Sequence, residues 1–388
     1  MENHGKSADP YPILFPIGIL LGVIGVSVWP LYYFAIVGSY SGRVHASVQT
    51  DAFLYSFIAG FLLTAVPRFT GTEPPSRRIQ YVLAALLVSC AAAFELWWFA
   101  TGNALFVAIH AALMTLAIRR FRRRQYEPPE TFSLIGLGLI AGAAAALINF
   151  GIAANLVAPS WDLLGRRLLS EGMVLLLVLG VGGFLGPRLL GYAAVPQFGS
   201  RQGRQIGSTR PFYAGAGLAV LLSLVGEYGF GIGPMAFLRA AVVTAVISAT
   251  VQPWRLPSTR TTLAWCVWIS HWSIIASVWL VAALPLYRID LLHVLFIGGF
   301  SLLILAVATR VTLSHGGHSL ALEQRSWPLR IGSTTMLIAM LARVGAPFAP
   351  STYFEHLAFA GLLWVAGMLA WGACLLRWIL NNRLQINA

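Results

Sequence analysis

Long apolar segments recur along the whole chain and leave few folds open to it. Only 10% of the 388 residues are charged, whereas 58% are hydrophobic. A helix of roughly 20 apolar residues crosses a bilayer core, which is about 30 Å thick. Such a helix also satisfies its backbone hydrogen bonds internally, as lipid requires. The sequence therefore predicts an all-α, polytopic membrane helix bundle.

Polar residues, prolines and glycines divide the apolar sequence into twelve predicted spans. In chain order these spans are 13–37, 47–66, 80–99, 104–119, 132–156, 169–190, 212–230, 234–251, 261–284, 290–311, 330–346 and 353–378. No sequence repeat is evident between the two halves, although six plus six helices would permit a hidden structural symmetry. We expect a single integral-membrane domain over 1–388, with short cytoplasmic tails at 1–11 and 379–388.

Positive charge indicates how the bundle is oriented. The net charge is +13, and most of the 26 Lys and Arg residues lie on one side if both termini are cytoplasmic, as the positive-inside bias requires. The arginines left on the outer side are Arg43, Arg166, Arg167, Arg239, Arg288 and Arg343. The densest basic cluster, Arg119–Arg124, joins two spans, so we interpret it as an anchor against anionic lipid and not as a nucleic-acid site.

The histidines are the residues from which chemistry must be argued, because an imidazole inside a bilayer is costly unless it is paired or metal-bound. The predicted topology places His45, His293 and His356 near the outer ends of their spans. His315 and His318 fall at the inner end of the tenth span. His293 and His315 are about 22 residues apart, or about 33 Å along a helix, so they belong to two different sites.

The other intramembrane histidines permit more than one interpretation. His271 lies at mid-membrane between two tryptophans, where a ligand or relay and a packing element are equally good interpretations. His110 and His356 are typical of hydrogen-bonded packing elements. The spacing of His315 and His318 suits chelation from one helix turn, but the two glycines between them equally suit a helix end.

Three acids are predicted to be buried near the outer face, within a turn or two of it. They are Glu95, Glu171 and Glu227. A carboxylate at that depth can orient a ligating imidazole or relay protons from outside. These acids are therefore candidate members of a proton relay.

Four segments resemble the NnrS family of bacterial membrane proteins. Residues 60–71, GFLLTAVPRFTG, are similar to that family's GFLLTAVPNWTG signature, and residues 44–60 resemble its segment containing WHAHEM. Residues 291–320 resemble the family's stretch from an LH pair to RVxLGHxGR, and residues 261–284 resemble its helix with histidine and tryptophan. The resemblance implies a haem- and copper-containing protein of the bacterial inner membrane, linked to nitric oxide metabolism and the nitrosative-stress response.

The resemblance also implies which residues bind the cofactors. His45 matches the first histidine of HAHEM, His271 and His293 match the two LH-type histidines, and His315 matches the GH histidine. Arg310 matches the arginine five residues before that last histidine, which implies a contact with a haem propionate. His45 and His293 lie on the same outer side and are the leading ligand pair. His315 and His318 would form a separate inner metal site.

The chain departs from the family pattern at three places. Ser47, Val48 and Gln49 replace the second histidine, glutamate and methionine of HAHEM, Arg68 and Phe69 replace the asparagine and tryptophan of the signature, and His318 replaces the arginine after GHxG. The first of these departures removes potential copper ligands. Haem is therefore the expected cofactor, and copper is a second one that the resemblance implies.

Several functions remain open at this stage. A haem–copper oxidase subunit also has twelve helices, but it needs closely spaced ligating histidines that this chain lacks. A secondary transporter would use the intramembrane histidines as proton or substrate sites. The histidines are equally consistent with an oxidoreductase and with a haem- or copper-handling protein that catalyses no reaction of its own. For the expected ligand, nitric oxide, no charged entry path is needed because it is a small neutral gas. The sequence specifies neither the electron donor nor the oligomeric state.

Overall fold

The computed structural model describes residues 9–192, 209–324 and 326–387, with side chains to Asn381. Within these residues the chain is helical and has no strand, and twelve of its helical segments are long and apolar enough to cross a membrane. We number these segments as spans 1 to 12: Tyr11–Tyr33, Gly42–Thr70, Arg77–Glu95, Phe99–Arg122, Phe132–Ala153, Pro159–Leu189, Arg210–Phe230, Ile232–Thr250, Thr262–Ala283, Pro285–His315, Leu320–Phe348 and Pro350–Asn381. The predicted all-α bundle of twelve spans is confirmed.

The two predicted tails are only partly within the described residues. Positions 1–8 of the N-terminal tail lie outside them, whereas the last helix continues to Asn387 through most of 379–388. Their cytoplasmic location stays a prediction from charge. We use "inner" for the end of the bundle that carries Asp9, and "outer" for the opposite end.

Spans 2, 6 and 10 share a backbone irregularity. In each, a six-residue α-helical segment, preceded by a 3-10 turn in spans 6 and 10, leads into a π-helical segment and then a longer α-helix. The π-helical segments are Val48–Leu54, Leu168–Val174 and Val294–Ser301. π-Helical turns are rare in proteins and occur frequently at functional sites. Their recurrence at every fourth span divides the chain into three units of four helices each.

A second feature marks the same three units. The glycine just after the inner end of each of these spans has a left-handed backbone, with φ of 66° at Gly71, 74° at Gly191 and 69° at Gly317. Glycine adopts this conformation without the steric penalty of a Cβ atom and therefore commonly ends a helix. The repeat is thus three times four helices, and not the two halves of six for which the sequence was searched.

The three π-containing spans form the centre of the bundle. They are the most buried of the twelve, and span 2 packs against span 10. The remaining spans surround them, each in contact with its neighbours along the chain, and span 12 packs on span 1 to close the ring. An apolar cavity of about 80 Å³ lies between the three central spans, with Phe57, Val178 and Phe300 among the residues that line it. We call it the axial cavity.

Candidate functional site

His45 and His293 occupy comparable places on two of the central spans. Each lies just before the π-helical segment of its span, at the outer end. The Nδ1 atom of His45 is 2.7 Å from the carbonyl oxygen of Gly25 on span 1. The Nδ1 atom of His293 is 2.7 Å from the carbonyl oxygen of Ile289, one turn earlier. His45 and His293 are thus two outer-end histidines whose Nδ1 atoms each face a backbone carbonyl oxygen.

The hydrogen bonds of these two histidines determine which ring nitrogen is free. A carbonyl oxygen only accepts, so Nδ1 carries the proton and donates in both rings. The Nε2 atoms of His45 and His293 keep their lone pairs and have no protein partner among the described residues. A histidine that ligates a metal is held in this way, with its other nitrogen bonded to a carbonyl or carboxylate.

The surroundings of the pair combine aromatic rings with one ion pair. The ring of Trp29 meets His45 edge-on, and the ring of Phe296 meets His293 in the same manner. Both imidazoles are half-buried. Arg343 and His45 both lie within electrostatic range of His293. Arg343 donates to Asp290 at 2.6 Å, so this part of the outer end carries a fixed cation with one carboxylate partner. We call these residues the outer histidine site.

His356 is the third histidine at the outer end. Its Nδ1 atom is 3.0 Å from the carbonyl oxygen of Thr352 on span 12, so it is held by the same kind of bond as the leading pair. It is half-buried, and span 12 belongs to the surrounding ring of helices. Its position makes it a sharp control for the assignment of His45 and His293.

His271 is buried at a different interface. Its Nδ1 atom is 2.7 Å from the carbonyl oxygen of Val267, and its ring packs on the glycines of span 6. A Cβ atom built on Gly182 would lie 3.0 Å from Nε2 of His271, so only a glycine leaves room for the imidazole. His271 therefore joins span 9 to span 6, apart from the outer histidine site.

His110 is a packing element, as predicted. Its Nδ1 atom is 2.8 Å from the Tyr55 hydroxyl, and its Nε2 atom is 2.9 Å from the carbonyl oxygen of Leu139. Both ring nitrogens are therefore occupied. The side chain ties span 4 to spans 2 and 5.

The two inner histidines turn toward different partners. Span 10 ends at His315, whose ring contacts Arg68 and lies 3.3 Å from a carboxylate oxygen of Asp9. His318 follows the helix end and donates from Nε2 to the carbonyl oxygen of Trp378 at 2.9 Å. The two glycines thus end the helix, and the structure does not bring the two imidazoles together as a chelating pair. The guanidinium on His315 further opposes a metal cation at that ring.

Arg310 already has a carboxylate partner. Its Nε and Nη2 atoms lie 2.8 and 2.5 Å from the two carboxylate oxygens of Glu323. A bidentate pair of this kind is among the stronger hydrogen-bonded ion pairs in proteins. The contact with a haem propionate that the resemblance implies would require Arg310 to share or leave Glu323.

Two of the three predicted acids lie in a buried ion network. Glu171 and Glu227 are surrounded by Arg167, Arg239 and Arg288. Arg239 lies 2.9 Å from Glu227 and 3.4 Å from Glu171, while Arg288 contacts Glu171 and Arg167 contacts Glu227. We call these five residues the ion network. With three guanidiniums and two carboxylates, the ion network has a net charge of +1.

One expectation about a charged residue is wrong: Glu95, expected to be buried, is exposed at the end of span 3. Arg167 and Arg239, two of the arginines predicted on the outer side, are only 4% and 2% exposed. Position along the chain gives depth in the membrane but not the face of the helix on which a side chain lies.

Asp51 was missed by the sequence analysis. It is the fourth residue of the first π-helical segment, as Glu171 is of the second, and it is 2% exposed. Its side chain accepts from the Thr50 hydroxyl at 2.9 Å, and no arginine whose side chain the structure describes pairs with it. The three-unit repeat would have drawn attention to it, because Asp51 and Glu171 occupy equivalent places.

No cluster of three or more His, Cys, Asp or Glu side chains suited to a metal ion occurs among the described residues. A family model described as NnrS protein matches residues 7–383, which is nearly the whole chain. The chain belongs to the NnrS family. No curated protein matches it. The residues matched by the NnrS family model include the outer histidine site, the ion network and both inner histidines.

Proposed function

We propose that this NnrS family member is a haem-binding protein of the bacterial inner membrane that reacts with nitric oxide. His45 and His293 are the proposed ligands. One observation carries the assignment: on two of the three central spans, an outer histidine donates from Nδ1 to a backbone carbonyl and keeps the Nε2 lone pair. A bound haem would supply an iron centre at which a gas is bound or reduced.

The residues around the pair would orient and shield such a cofactor. The carbonyl oxygens of Gly25 and Ile289 fix the ring tautomers, so the same nitrogen of each histidine stays available. Trp29 and Phe296 limit access of water to the rings. Arg343 is a suitable partner for an acidic group of the cofactor, because a partly buried guanidinium binds carboxylates strongly.

The axial cavity supports a gas as the ligand. Its volume is about 80 Å³, and its lining side chains are all apolar. A cavity of this kind has no partners for water and can admit a small neutral molecule. Nitric oxide has these properties.

The remaining predicted site residues receive other roles in this proposal. Each of Glu171 and Glu227 contacts two or more guanidiniums, so we assign these carboxylates to charge balance. Glu95 is exposed at the end of span 3 and stays a relay candidate. Copper stays a prediction of the family resemblance. Gln49, which replaces the methionine of the family's HAHEM motif, donates to the carbonyl oxygen of Gly22 at 3.0 Å.

The test is an absorption spectrum of the full-length protein purified in detergent, in the oxidised and the dithionite-reduced state, with haem quantified as the pyridine haemochrome. We expect near-stoichiometric haem and a spectral shift when nitric oxide is added. Turnover of nitric oxide with a chemical reductant would identify an oxidoreductase, whereas binding without turnover would identify a sensing, sequestration or assembly role. A preparation that stays colourless after haem supplementation would contradict the proposal and favour a transporter.

A further inference from the structure

A second cavity lies at the inner end of the bundle axis, next to the axial cavity. Its volume is about 190 Å³, and Phe61 and Val307 line both cavities. All the residues that line it come from the three central spans, 2, 6 and 10. We call it the inner cavity.

The polar wall of the inner cavity is cationic. Among the described residues, its charged or titratable lining is Arg68, Arg310 and His315, without a carboxylate. The acidic partners of the two arginines, Asp9 and Glu323, are not part of the lining. The guanidiniums are thus anchored by carboxylates outside the cavity and contribute positive charge inside it.

Hydrogen-bond donors remain available on this wall. Arg310 uses Nε and Nη2 on Glu323, and no described residue accepts from its Nη1. Arg68 binds Asp9 through Nη2 at 3.0 Å and places Nη1 against the ring of His315. An unprotonated ring nitrogen of His315 can accept from Nη1 of Arg68, so the donor left for an anion on this wall is Nη1 of Arg310, with the Arg68 guanidinium beside it.

We propose that the inner cavity binds a small, singly charged oxyanion of the nitrite and nitrate class. A planar oxyanion matches the forked donors of a guanidinium, which recognise two acceptor oxygens at once. The two arginines are balanced by two carboxylates, so a single negative charge on the ligand suits the site better than a larger one. Arg68 stands where the NnrS signature resembled by this segment has asparagine, so the site is a property of this chain. The proposal does not depend on haem.

The experiment is isothermal titration of the purified full-length protein with sodium nitrite and sodium nitrate, with sodium chloride at equal ionic strength as the reference. Arg68→Asn should weaken oxyanion binding by about tenfold or more, the effect of losing one charge-assisted hydrogen bond. Arg188→Asn is the matched control. Arg188 follows Pro187 as Arg68 follows Pro67, but it stacks on Phe184 and does not line the cavity.

Two further variants make the result decisive. His315→Gln tests the same site if Arg68→Asn elutes as aggregate in size-exclusion chromatography. His293→Ala, which lacks the proposed haem ligand, should retain oxyanion binding, because the inner cavity is at the opposite end of span 10. Equal binding of chloride, no binding by the wild type, or equal weakening by Arg188→Asn would overturn the proposal. Loss of binding in His293→Ala would also overturn it by assigning the anion to the outer histidine site.

Discussion

Neutralising Glu171 should destabilise the bundle more than removing one of the arginines beside it. Glu171 lies 3.8 Å from Arg167 and 3.4 Å from Arg239, and it also contacts Arg288. Glu171→Gln keeps the shape of the side chain but leaves three guanidiniums with one carboxylate, Glu227. The net charge of the ion network then rises from one to two positive charges in a buried setting.

The magnitude follows from which charge is left without a partner. Removing one member of a buried ion pair costs about 3–5 kcal/mol, because the other charge stays desolvated. We expect a loss of this size in the free energy of unfolding for Glu171→Gln. Arg239→Met leaves Arg167 and Arg288 to bind the two carboxylates, and a lost hydrogen bond to a charged group costs about 1.5–3 kcal/mol.

Unfolding in mixed micelles of dodecyl maltoside and SDS, followed by tryptophan fluorescence, measures these differences. Arg166→Met is the matched control, since Arg166 is the neighbour of Arg167 but is 51% exposed and pairs with Asp162 on the surface. Such exposed pairs contribute about 0–1 kcal/mol. A Glu171→Gln variant as stable as the wild type, or one less affected than Arg239→Met, would refute the charge argument.

Three further outcomes can be measured. Gly25→Ala should lower haem content, because a Cβ at Gly25 would come 2.6 Å from Gln49 beside the carbonyl that holds His45; unchanged haem would show that this carbonyl is dispensable. Tyr55→Phe should cost about 1 kcal/mol of stability with an unchanged haem spectrum, since it removes only the bond to His110; a changed spectrum would contradict the packing role. Val178→Phe should slow nitric oxide binding in stopped-flow absorption without altering haem content; an unchanged rate would exclude the axial cavity as the route.

The twelve spans were predictable from the sequence because hydropathy acts on single segments. Runs of apolar residues and their polar breaks fix each helix without reference to its neighbours, so every predicted span overlaps an observed one. The short predicted spans 234–251 and 330–346 correspond to the α-helices Ile232–Thr250 and Trp327–Gly345.

The three-unit repeat was not predictable in the same way. Its markers are a backbone irregularity and a left-handed glycine, and neither requires a conserved side chain at the other positions. Asp51, Glu171 and Ile297 occupy equivalent places in the three π-helical segments, two of them carboxylic acids and the third an apolar residue. Symmetry of the backbone thus survives where the sequence has diverged.

The partners of charged side chains also required the structure. Depth along a helix placed His45 and His293 at the same end of the bundle, but it gave no sign that Arg68 would contact His315 across two spans. Residue positions in sequence determine depth at about 1.5 Å per residue, whereas helix rotation determines which groups meet. The ion network and the inner cavity both depend on that rotation.

The central claim is that His45 and His293 hold a haem at the outer histidine site. The most direct test is haem content, by pyridine haemochrome per mole of folded protein, in the variants His45→Ala, His293→Ala, His318→Ala and His356→Ala. The first two should lose haem, whereas His318→Ala and His356→Ala should retain it. Retention in His45→Ala and His293→Ala, or an equal loss in all four variants, would contradict the assignment.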